Sequence, residues 1–225
     1  MTSQELRESR KQLRWTQQQA AKKLRVSQTY FSLMENGLRP VSPGVVTRLS
    51  AHTEVTATAL PLAKETPFDP QLFAASLGAL GYPGFSYLCD SGRRENPAAL
   101  LLAGLRQTQL EPRLTEALPW LLLHYPTLNW RWLVDHAKSH NVQNRLGFLV
   151  SLARELAESE EASELASTLT RWEDELEDAR LAKVDSLARR LTAAERHYFQ
   201  RHRSPAAMHW NLLTGLTAST LHYAE

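Results

Sequence analysis

The chain has 225 residues, of which 43% are hydrophobic and 22% charged, with a net charge of +2. That is room for one large or two modest domains with ordinary globular composition, which excludes a disordered chain. No apolar run nears the roughly 20 residues that cross a bilayer, and the opening MTSQELRESRKQLRW lacks a secretory apolar core. Cys89 is the only cysteine, which excludes an internal disulfide and a thiolate zinc cluster. The expected location is the cytoplasm.

Charge is unevenly spread. The first 66 residues carry ten Lys and Arg against five Asp and Glu, or +5, and the remaining 159 carry sixteen against nineteen, or −3. A basic end on a mildly acidic body is expected when one end meets a polyanion, although two domains with merely different surfaces would give the same split.

In chain order the pattern is helical almost throughout, so the expected class is all-α. Short helices are expected over residues 6–13, 16–24, 27–36 and roughly 42–49, with a weaker fifth around 56–64 in which Pro61 would sit. KETPFDP places two prolines within four residues, which breaks helix and divides the chain into domains 1–66 and 67–225. A glycine-bearing stretch, LGALGYPGFSYL, and a polar loop, CDSGRREN, follow before the helical pattern returns at Pro97.

LTEALPWLLLHYP and NWRWLVDHAKSH read as consecutive helices parted by Pro126. In the next helix Leu146, Leu149, Val150, Ala153 and Ala157 form an apolar face that Phe148, Leu152 and Leu156 widen, leaving Arg154, Glu155 and Glu158 for solvent. Leu165, Leu169, Trp172, Leu176 and Ala179 follow a 4-3-4-3 spacing. About two heptads are too few for a coiled coil, so this seam is expected to pack within the bundle. TAAE at 192–195 reads as a capping box, and Pro205 starts the last helix. With no useful strand alternation, residues 67–225 should form an all-α domain, either a bundle of helix pairs or a helical-repeat-like stack of them.

The N-terminal pattern carries the most specific chemistry. Thr16 with Gln19 forms a capping box, and Ala20, Ala21 and Leu24 give that helix a small apolar face. The chain breaks at Arg25 and Val26, and Ser27 caps a second helix with Phe31 and Met34 inward and Gly37 as its left-handed stop. Braced by Leu6 and Leu13, the pair forms a helix-turn-helix. A major groove about 12 Å wide admits one helix, and residues near its N-terminus reach base edges. Here those residues are Gln28, Thr29 and Ser32; glutamine can pair bidentately with adenine, and threonine can meet a thymine methyl. Gln17 and the amides that open the first helix point a positive dipole end at a phosphate. Gln18 belongs to the same glutamine run, while Arg14, Lys22, Lys23, Arg25 and Arg39 add charge around the rim. The same motif could also serve as a protein-docking or dimerisation module.

Residues 6–49 resemble the Xre/Cro-type helix-turn-helix family of phage and bacterial repressors. The resemblance is carried by LRESRKQLRWTQQQAAKKL, VSQTYFSLMENG and the RP that follows. It implies a buried ion pair between Arg10 and Glu35, DNA-facing positions at Gln17, Gln28, Thr29 and Ser32, and a segment from Asn36 to Arg39 close to the DNA backbone. Two residues depart from the family pattern. Arg25 stands where glycine is common, which implies a strained turn or an added phosphate contact, and Leu33 stands where a polar or basic DNA-facing residue is common, which thins base readout.

The rest of the chain is less specific. His136 and His140 are four apart, but no carboxylate stands where a zinc hydrolase would need one; His197 and His202 point apart on a helix. There is no Walker loop, dinucleotide fingerprint or nucleophile elbow, so no catalytic residue, metal or cofactor is expected and the chain does not read as an enzyme. Trp130 and Trp132 stand two apart; core packing is expected for both, with a pocket or interface position for one of them as the alternative. NRLGFLVSLARELAE resembles, through residues 145–149 alone, an RLG-aromatic-L helix of abortive-infection-type antitoxins. Two functions are therefore expected. One is a homodimeric repressor of a near-palindromic operator whose helical body dimerises or senses a small-molecule effector. The other is an antitoxin whose body neutralises a toxin, such as a nucleotidyltransferase, while the N-terminal domain represses its own operon.

Overall fold

The computed structural model describes residues 2–13, 15–50, 56–62, 67–89, 92–221 and Tyr223, without the side chains of Gln12, Thr47 and Ser50. The described residues are all-α apart from one two-residue strand pair, and the chain separates into two compact units. Met1–Lys64 together with Arg94–Asn96 forms the first, and Glu65–Arg93 together with Pro97–Glu225 the second. Among the described residues, no helix is long and apolar enough to cross a membrane.

The first unit contains α1 (Ser3–Gln12), α2 (Gln17–Lys23), α3 (Gln28–Glu35) and α4 (Pro43–Ser50). Their shared core is Leu6, Ala20, Ala21, Leu24, Phe31, Met34, Val45 and Leu49. The weak fifth helix shrinks to a single 3₁₀ turn, Ala57–Ala59. Its carbonyl neighbours are claimed from afar: the Asn96 amide donates to the Thr58 and Leu60 carbonyls at 3.1 and 2.7 Å. That contact adds the returning 94–96 segment to a unit that the junction alone would have closed near residue 66; residues 63–66, the end of the expected fifth helix and the start of that junction, lie outside the described residues.

The second unit contains α5 (Pro70–Ala79), α6 (Pro97–Leu105), α7 (Pro112–His124), α8 (Trp130–Ser139), α9 (Gln143–Ser159), α10 (Ser163–Glu177), α11 (Ala193–Arg201) and α12 (Pro205–His209). Asp69 caps α5 through bonds to the Gln71 and Leu72 amides, with Pro70 preset for the first turn. The unit is organised around α9, which is buried along most of its length and packs against α7, α8, α10 and α12. Of the two expected arrangements, the bundle is the one observed, built around one central helix. The 165–179 seam packs on α9, with Leu169, Trp172 and Leu176 buried. Strands β1 (Asp185–Ser186) and β2 (Leu212–Leu213) pair in parallel, too short to leave an alternating pattern in the sequence.

Candidate nucleic-acid interface

The helix pair of the first unit is built by local chemistry. Thr16 Oγ1 accepts from the Gln19 amide at 3.2 Å while Gln19 Oε1 accepts from the Thr16 amide at 2.9 Å. Ser27 Oγ accepts from the Tyr30 amide and opens α3. Between the helices Arg25 takes φ +52°, with the Val26 amide donating to the Ala21 carbonyl at 3.0 Å and the Arg25 amide to Lys22 at 3.3 Å. This is a Schellman turn, whose left-handed position normally favours glycine. Arg48 Nε donates to the Leu24 carbonyl at 2.6 Å and satisfies another acceptor at that helix end. Gly37, at φ +73°, closes α3 in the same way.

A buried charge network sets the helices against one another. Glu35 is 3% exposed. Its carboxylate accepts from Arg10 Nε at 2.7 Å and from Gln17 Nε2 at 2.7 Å. Arg10 Nη1 also donates to the Trp15 carbonyl at 2.9 Å, so one cluster joins α1, the start of α2 and the end of α3. Arg7 extends it by donating to the Glu35 carbonyl and to Asn36 Oδ1. Sequence reading did not select Arg7, although its place three residues before Arg10 on α1 was a usable signal.

The expected site residues separate into two groups. Gln17, Ser32 and Asn36 are tied inside the unit: Gln17 to Glu35, and Asn36 to Arg7 and, at 3.3 Å, to a half-buried Ser32. Gln18, Lys22, Arg25, Gln28 and Thr29 are exposed and carry no side-chain bond among the described residues. Arg39 is exposed, with its guanidinium 5.8 Å from the Tyr30 ring, and Lys23 lies 5.1 Å from that of Trp15. Arg14 lies outside the described residues. Leu33 is half-buried and Leu38, just beyond α3, is 71% exposed. The first turn of α3 thus presents an amide and a hydroxyl, with Lys22 and Arg25 as exposed cations on the preceding helix and turn. Such a surface can donate to and accept from base edges while cations meet phosphates.

Among the residues singled out in the second unit, Arg145, Gly147, Trp130, Trp132, His136 and His202 make contacts within the unit, whereas His197 is exposed. Arg145 Nε lies 2.7 Å from Asp185 Oδ2, and its Nη1 donates to the Leu105 and Gln107 carbonyls at 2.8 Å. Gly147 passes directly beneath Trp210; a Cβ there would meet the indole at 2.5 Å. One turn on, Ser151 Oγ accepts from Trp210 Nε1 at 2.8 Å. Trp130 stacks on Trp172 with centroids 4.5 Å apart, and half-buried Trp132 stacks on His136. His202 stacks on Tyr198 in α11.

The fold and surface of the first unit define a helix-turn-helix domain. Residues 3–62 match the family model described as a helix-turn-helix domain, which supports DNA as its partner. No curated protein and no solved structure matches the chain.

Proposed function

We propose that the protein is a sequence-specific transcriptional regulator of the Xre/Cro type, a cytoplasmic repressor that binds a near-palindromic operator as a homodimer. The observation that carries this reading is the division within α3: Phe31, Met34 and Glu35 are buried and braced, whereas Gln28 and Thr29 on its first turn are exposed and unbonded. A helix held in this way enters the major groove with its N-terminal turn against base edges. Lys22 and Arg25 take phosphates, Gln18 and Arg39 border the same contact, and the second unit serves dimerisation or binding of an effector. The reading is one of binding, without a catalytic step. Footprinting on the DNA upstream of its own gene tests it: two protected half-sites whose centres lie about 34–36 Å apart are expected, and no protection over competitor DNA would contradict it.

The antitoxin reading rests on residues 145–149. Arg145 and Gly147 make their contacts inside the second unit, so the residues that carry this likeness leave the toxin-binding surface unassigned. Co-purification of a nucleotidyltransferase encoded beside this gene would favour that reading.

A further inference from the structure

The second unit is acidic in sum but sharply polarised. Between residues 155 and 178 ten carboxylates face one arginine, whereas residues 188–203 hold five arginines against the single Glu195. This basic stretch contains α11, a helix with no buried residue. Two of its arginines are neutralised or anchored at home: Arg189 pairs with Glu195, and Arg203 donates to the Leu212 carbonyl at 3.3 Å. Glu195 is further committed to the capping box, where the Thr192 amide and hydroxyl hold its carboxyl below the ordinary range. Arg190, Arg196 and Arg201 remain exposed without a bond or ion pair among the described residues.

Helix geometry aligns what is left. Positions 196, 197, 200 and 201 share one face, so Arg196, His197, Gln200 and Arg201 form a stripe of hydrogen-bond donors, with Tyr198, 56% exposed, at its border. Phe199, on the opposite side, approaches Gly215. A protein interface of ordinary strength has a desolvated apolar centre, depleted of charge. The α11 stripe has donors and cations where that centre would be, the complement of a phosphate backbone.

We infer that α11 is a second contact for duplex DNA, a phosphate-binding surface on the helical body that adds to the helix-turn-helix; this rests on the DNA-binding reading above. Arg196 and Arg201 grip phosphates, and His197 and Gln200 donate beside them. The contact reads charge and not sequence, so it raises affinity for any duplex and steepens the dependence on salt.

The test is fluorescence anisotropy of the full chain on an operator duplex and on a scrambled duplex, across a salt series. The double variant R196A/R201A should weaken both duplexes alike, lower the slope of log K against log salt by about two units, and keep the operator preference. R196K/R201K, which retains charge, should keep most of the slope. An unchanged slope in the alanine variant, while K22A lowers it, would overturn the α11 contact and leave the helix-turn-helix reading standing. No binding of the wild type to either duplex at low salt would overturn both. Sedimentation of the same samples covers the other partner class: a salt-dependent self-association lost in R196A/R201A, with the DNA slope intact, would assign the stripe to an acidic protein face and overturn the proposal.

Discussion

Each unit has an arginine that ties several of its elements together, and the two arginines do different work. Arg10 reaches a carboxylate sealed from water, Glu35, and through it fixes Gln17 and the two ends of the helix pair. Arg145 reaches Asp185, whose side chain is 33% exposed, and donates through Nη1 to the Leu105 carbonyl at the end of α6 and to the Gln107 carbonyl just beyond it. In the first unit the network lies behind an exposed, unbonded α3 turn; in the second it joins a helix end to a short strand, with Trp210 closing over Gly147 nearby. The comparison teaches that a buried polar anchor does not mark a functional surface. The surface is marked by the polar side chains that the anchor leaves unsatisfied.

The largest effect should come from breaking the sealed pair. Arg10→Ala strands a buried carboxylate, and a loss of about 3–5 kcal/mol is expected from denaturant unfolding of the first unit; a loss under about 1 kcal/mol would mean that Gln17 alone can satisfy Glu35. On the other side of the comparison, Gly147→Ala drives a methyl into the Trp210 ring. It should cost the second unit about 1–3 kcal/mol without changing operator preference, and wild-type stability would show that Trp210 withdraws freely.

How much of this was legible in the sequence differs between the units. The capping boxes at Thr16 and Thr192, the cap at Ser27 and the stop at Gly37 are written in adjacent residues, so their positions could be read directly. The shortness of the fifth helix and the choice of bundle over repeat-like stack could not be read, because local propensity does not say which segments return: Asn96 joins the first unit from 36 to 38 residues away. The strand pair and the Arg145 bonds depend on contacts across 27 to 40 residues, which no local period records. At the candidate site, the sequence implies exposure for Ser32, a DNA-facing position for Gln17 and a place close to the DNA backbone for Asn36. A helix wheel could not show that these three find partners within the unit.

A smaller effect separates strain from recognition at the helix-turn-helix turn. Arg25→Gly relieves a left-handed arginine and should stabilise the unit by about 0.5–1 kcal/mol, while lowering the salt slope of DNA binding by about one unit. An unchanged slope would leave Arg25 a tolerated substitute for glycine and remove it from the interface. The smallest effect is electrostatic and lies in the second unit. His124 is exposed, but the partial desolvation of its imidazole, stacked on Trp120, lowers its pKa, so its contribution is present above about pH 6.5 and is lost as pH falls through its lowered value. His124→Gln should therefore show a slightly flatter fall in melting temperature between about pH 7 and about pH 5; identical profiles would show that solvent screens the group.

The central claim is that the unbonded turn of α3 reads bases. Its most direct test is operator discrimination by Gln28→Ala, measured as the ratio of affinities for operator and scrambled duplex at one salt concentration. The account predicts that this ratio falls by the equivalent of about 1–3 kcal/mol, with affinity for the scrambled duplex retained. A ratio equal to that of the wild type would contradict it.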